Sequence, residues 1–126
     1  GIYEGNVFIE GNGAIVNLND GLGIWVYAEE ESPVNLDIEF VTIINGGYNG
    51  LTFNGFSTGD ISNCNFIGNE FGIQIMDDVA ISLKNCNLVN NSQFGFAARG
   101  TTTTFEISYS NFWENHLGSC GYNENC

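Results

Sequence analysis

Basic residues are nearly absent: Lys84 and Arg99 are the only two, against 15 acidic residues, giving a formal charge of −13. Phosphate binding needs clustered Lys and Arg, so nucleic acid is excluded as a partner, and anionic membrane surfaces with it. No apolar run approaches the ~18 residues that a membrane helix requires, so no membrane insertion is expected. Histidine occurs once. That residue, His116, has no Cys or carboxylate at motif spacing and reads as a turn residue rather than a metal ligand or base. Gly-x-Ser-x-Gly, phosphate-loop and His-Glu-x-x-His segments are missing too.

What is present is glycine, at 17 residues, together with many short Asn and Gly clusters, while proline occurs once. That mixture suits tight turns between short strands. The 126 residues fit one domain with a real core. The chain opens on Gly1 rather than Met and shows no signal-peptide pattern, which reads as a mature, trimmed or excised product. Four cysteines are compatible with an oxidising compartment, so an extracellular or cell-surface location is expected.

The chain repeats itself every 22 to 24 residues. Ile61–Ile75, Leu83–Ala98 and Ile107–Gly118 align with one another, and Ile38–Phe53 with them; a degenerate first copy runs from Val7 to Val26. Gly50, Gly72, Gly95 and Gly118 lie 22, 23 and 23 positions apart. Apolar residues within each copy follow period two, broken by turn residues, which is a strand pattern. Stacking the copies in parallel buries one face of every strand and completes the backbone ladder. The expected fold is all-β, a parallel β-solenoid of about five rungs. It forms a single domain over residues 1–126, with an N-terminal edge at 1–6, rungs at 7–118 and a C-terminal tail at 119–126.

This alignment defines inward columns: Ile38, Ile61, Leu83, Ile107; Val41, Cys64, Cys86, Ser110; Ile43, Phe66, Leu88, Phe112; Ile24, Leu51, Ile73, Phe96; and Val26, Phe53, Ile75, Ala98. Asn63 and Asn85 precede the two cysteines, where a sharp bend calls for a left-handed residue. Asn69, Asn91 and Asn115 are expected to form a turn ladder, bridged through their amides.

With these residues in place the chain resembles the right-handed parallel β-helix repeat proteins, the broad secreted group that shares the pectate lyase superfold. Val7–Val16 resembles the first rung of many such domains. Phe66-Ile-Gly-Asn69 and Phe112-Trp-Glu-Asn115 are similar to the Phe-x-x-Asn repeats of polymorphic surface adhesins, although the Gly-Gly-Ala-Ile partner motif is missing. Resemblance to pectate lyases would imply several acidic calcium ligands and an Arg or Lys base. Resemblance to polygalacturonases would imply Asn-Thr-Asp, Asp-Asp, Gly-His-Gly and Arg-Ile-Lys segments, of which only Asp77-Asp78 occurs. No catalytic residue is therefore assigned, and a non-enzymatic member is expected.

Three surface features remain. Glu29, Glu30 and Glu31, then Asp60, then Asp77 and Asp78 follow the second strand of successive copies. Gathered at one corner they would suit calcium, which takes about six to eight oxygens; dispersed they form a solvated acidic edge. The solvated edge is the expectation, so no cofactor is assigned. An outward column, Ile44, Ile67, Val89 and Trp113, is apolar where a free sheet face should be polar, which marks an interface candidate. Trp25, Tyr27, Tyr48 and Trp113 are candidate contacts for a glycan.

Of the cysteines, Cys120 and Cys126 flank an easily turned segment and are expected to be bridged. Cys64 and Cys86 fall in one inward column about 4.8 Å apart, with nearly parallel Cβ vectors, which favours stacked thiols over a bridge. The leading expectation is a non-catalytic extracellular scaffold that associates with itself or with neighbouring β-helix domains. A glycan-binding adhesin module and a fragment of a polysaccharide-degrading enzyme are the alternatives.

Overall fold

A computed structural model describes residues 5–126; the N-terminal edge expected at 1–6 lies outside them for residues 1–4. Among the described residues there are thirteen strands and no helix. β1 (Gly5–Asn17), β3 (Val34–Ile44), β5 (Ser57–Ser62), β6 (Asn65–Ile67), β8 (Ala80–Lys84), β9 (Asn87–Val89), β11 (Thr104–Ser108) and β12 (Asn111–Trp113) form one sheet. β2 (Ile24–Ala28), β4 (Asn49–Gly55), β7 (Phe71–Met76), β10 (Phe94–Arg99) and β13 (Gly118–Gly121) form the other. All pairings between these strands are parallel and join successive repeats, so the chain is a β-solenoid of about four turns, five strands deep on each face.

Register follows the inferred repeat. Ile38 pairs with Ile61, Ile61 with Leu83, and Leu83 with Ile107. Ile43, Phe66, Leu88 and Phe112 stack in the same way, as do Ile24, Leu51, Ile73 and Phe96. These columns fill the interior; Phe53, Phe66 and Phe96 are its largest fully buried side chains. One column contains a glycine for a packing reason. Gly59 follows Leu36, and a Cβ there would lie 2.9 Å from the Phe53 ring and 2.2 Å from the Leu36 carbonyl.

Left-handed residues set the corners. Phe40, Asn63, Asn85 and Tyr109 have φ between 49° and 54°. They occupy equivalent positions and turn the first sheet into two faces. A second corner holds Asn45, Gly68, Asn90 and Glu114, and a third Gly55, Asp77 and Gly100, all with positive φ. Backbone bonding continues through the corners: Asn63 N donates to Lys84 O, Asn90 N to Trp113 O and Asp77 N to Arg99 O.

The second corner is braced from inside by the asparagine ladder. Asn69 and Asn91 are buried. Asn91 Oδ1 accepts from Asn69 N at 3.0 Å, and Asn91 Nδ2 donates to Phe66 O at 3.2 Å and to Asn115 Oδ1 at 2.8 Å. Asn115 Nδ2 donates in turn to Leu88 O at 2.8 Å. Each amide satisfies backbone groups that the turn would otherwise leave unpaired inside the core.

The last layer slips. Gly118 pairs with Phe94 rather than Gly95, and β13 continues to Gly121, so Ser119–Gly121 belong to the stack rather than to a loose tail. Cys120 thereby sits against Phe96 and extends an inward column.

Candidate functional site

The two halves of the first sheet and the second sheet give the solenoid three outer faces. The face built from β5, β8 and β11 is polar. Asp37, Asp60, Ser82 and Glu106 follow one another layer by layer beside Asn35, Thr58 and Thr104. All of these but Asp37 line a shallow groove of about 530 Å³. Asp60 Oδ1 accepts the Ser82 hydroxyl, and Asp37 Oδ1 accepts the Asp60 N–H at 3.0 Å.

This placement separates the acids read together from the sequence. Asp60 lies on β5, on the polar face, whereas Asp77 and Asp78 sit in the exposed turn after β7. Glu29, Glu30 and Glu31 lie in the turn after β2. Among the described residues no three acidic, His or Cys side chains come close enough to hold a metal ion.

The face built from β6, β9 and β12 carries two outward columns. Thr42, Asn65, Asn87 and Asn111 form an amide ladder, with side-chain bonds of 2.9, 2.7 and 3.1 Å between successive layers. Beside it run Ile44, Ile67, Val89 and Trp113, in register. The aliphatic members are half-buried, while Trp113 is 67% exposed, so the C-terminal residues do not cover it.

The third face, on the second sheet, is aromatic. Trp25 and Tyr48 stack with ring centroids 6.3 Å apart; Tyr48 meets Phe71 at 6.5 Å, Phe71 meets Tyr122 at 6.4 Å, and Tyr122 meets Phe94 edge-on at 5.2 Å. The Arg99 guanidinium lies 4.2 Å from the Tyr122 centroid and 6.0 Å from that of Phe71. Beneath these rings Thr52, Gln74 and Ala97 are buried although they face outward from the sheet. Gly121 completes that column; a Cβ there would lie 2.5 Å from the Phe94 ring. Asn49, fully buried, donates to Thr52 Oγ1 at 2.7 Å and to Gln74 Oε1 at 2.9 Å, and its Oδ1 has no partner among the described residues.

Of the four aromatics named from the sequence, Trp25 and Tyr48 come together. Tyr27 shares their face, one column away, its hydroxyl 3.5 Å from Glu29 Oε1. Trp113 is on a different face. Sequence reading missed Phe71, Phe94, Tyr122 and Arg99. Phe71 and Phe94 carried a signal, since each directly precedes a glycine of the 23-residue spacing. Tyr122 and Arg99 carried none, because their contacts depend on how the chain folds back after Gly121.

Cys120 and Cys126 are joined in a disulfide with Cα atoms 5.3 Å apart, which ties Tyr122 into the aromatic row. Cys64 and Cys86 are free and buried. Their thiols donate to Ser62 O at 3.1 Å and Lys84 O at 3.3 Å. When Cys64 ionises, the Cys86 S–H can donate to its thiolate; that pairing, and then burial, push the Cys86 thiol up, while the same pairing holds Cys64 down.

A family model described as "Right handed beta helix region" matches residues 2–126. No curated protein and no solved structure matches the chain.

Proposed function

This chain belongs to the right-handed β-helix family, and from that premise we propose that it is a non-catalytic extracellular scaffold module that stacks end to end, on copies of itself or on neighbouring β-helix layers. The observation that carries the reading is the match between the two ends. At one end Val7, Ile9 and Ile24 are only partly covered, and at the other Phe105, Ile107 and Cys120. They belong to the same columns. Val7 leads through Leu36 and Ile81 to Phe105, Ile9 through Ile61 to Ile107, and Ile24 through Ile73 to Cys120.

A second stack placed on the first would therefore continue these three columns. It would also pair β1 with β11 and β12, whose outer edges carry no strand among the described residues. Such a head-to-tail contact need not close on itself, so it builds rods. The Cys120–Cys126 disulfide supports an oxidising, extracellular setting.

Sedimentation and negative-stain imaging over a concentration series test this. Rods of constant width that lengthen with concentration are expected. A monomer at all concentrations would overturn stacking on copies of itself.

A further inference from the structure

We propose that the aromatic face of the second sheet docks an arginine-rich segment of a basic partner protein. Three observations lead there. First, the row Trp25, Tyr48, Phe71 and Tyr122 crosses the layers at steps of 6.3 to 6.5 Å; Phe71 is buried, while Tyr48 is 38% and Tyr122 56% exposed. Second, one guanidinium already occupies the row. Arg99 sits over Tyr122 at 4.2 Å and reaches Phe71, so these rings accept a planar cation in this environment. Third, the charge is complementary: the chain carries −13 in total, and Glu70 adjoins Phe71 in the chain while Glu29 bonds Tyr27 on the same face.

Ring faces attract a cation through their quadrupole, and a guanidinium stacks on them in a way an ammonium does not. A negative field raises the encounter rate of a basic partner, while the rings discriminate among basic side chains. Trp25 belongs to the first layer of the second sheet and Tyr122 follows the last, but the row runs across the outside of that sheet, and the titration reads it separately from the sedimentation that tests end-to-end stacking.

The test is a calorimetric titration of the full chain at moderate salt with a deca-arginine peptide, a deca-lysine peptide, and neutral cello- and chito-hexaose. Deca-arginine is expected to bind at least five-fold more tightly than deca-lysine. Tyr48→Leu and Tyr122→Leu keep the apolar bulk and remove the ring; each should weaken the arginine peptide at least five-fold. Trp113→Leu, on another face, should leave it unchanged, and circular dichroism of each variant verifies the fold. Equal affinity for both peptides, insensitive to the ring substitutions, would reduce the effect to diffuse negative charge and overturn the proposal. Binding of a neutral hexasaccharide without binding of deca-arginine would overturn it in favour of a glycan surface.

Discussion

Phe66 lies directly over Leu88, in register between parallel strands β6 and β9, and both side chains are fully buried. The pair is one step in a column that runs from Ile43 to Phe112. Truncating Phe66 removes contacts with the layers above and below at once, and neither layer can collapse into the gap without breaking its own ladder. Phe66→Ala should cost about 3–5 kcal/mol in denaturant unfolding. A loss under 1 kcal/mol would mean that the layers relax independently.

The two asparagine ladders look alike in sequence and should differ sharply in energy. Asn91 is buried and serves Asn69 N and Phe66 O, which no water can reach. Asn91→Ala strands both groups, at about 1–3 kcal/mol each. Asn111 is exposed and bonds only Asn87. Asn111→Ala should stay within about 0.5 kcal/mol. Equal effects would show that the inner amides brace nothing.

The difference between these ladders marks how far the sequence could be read. Inward columns were legible because a 22- to 24-residue repeat places like on like, and the Asn63 and Asn85 corner because both residues are asparagine. The third corner was not legible: Gly55, Asp77 and Gly100 share a backbone conformation but no side-chain type. Phe71 was hidden by its parity. It has the phase of Ile73 and Ile75, yet it covers the outside of the sheet, because the chain is already turning there. The acids around Asp60 were grouped by order along the chain, whereas strand β5 carries Asp60 onto a different face from Asp77.

The third corner yields a test of its own. Asp77 has φ of 59°, in a column with two glycines. Left-handed backbone costs most residues with a Cβ about 1–2 kcal/mol, and the short polar side chain of Asp or Asn offsets part of that by local hydrogen bonding. Asp77→Gly should therefore hold or slightly raise the melting temperature, while Asp77→Ala lowers stability by about 1 kcal/mol with the fold intact. Asp78→Ala, with ordinary backbone next door, should be neutral. If Ala and Gly behave alike at position 77, the corner is not strained there.

The buried thiols give stability a defined pH dependence. In the unfolded chain Cys64 and Cys86 both titrate near about 8.5. In the folded chain donation from Cys86 to an ionised Cys64 lowers Cys64 and, with burial, raises Cys86, so the column releases at most one proton where the unfolded chain releases two. The lowered Cys64 pKa adds stability as pH rises toward the unfolded value, whereas the raised Cys86 pKa takes stability away as pH climbs above that value. One proton of difference corresponds to a slope of about 1.4 kcal/mol per pH unit. The net loss sets in above about 8.5, and the slope approaches this one-proton limit about a pH unit higher. Replacing both cysteines with valine, which the same column holds at Val41, should flatten the slope while keeping the fold. Iodoacetamide should label neither thiol in the native protein and both after unfolding. Identical pH profiles for the parent chain and the double-valine variant would show that these thiols titrate no differently inside the solenoid than outside it.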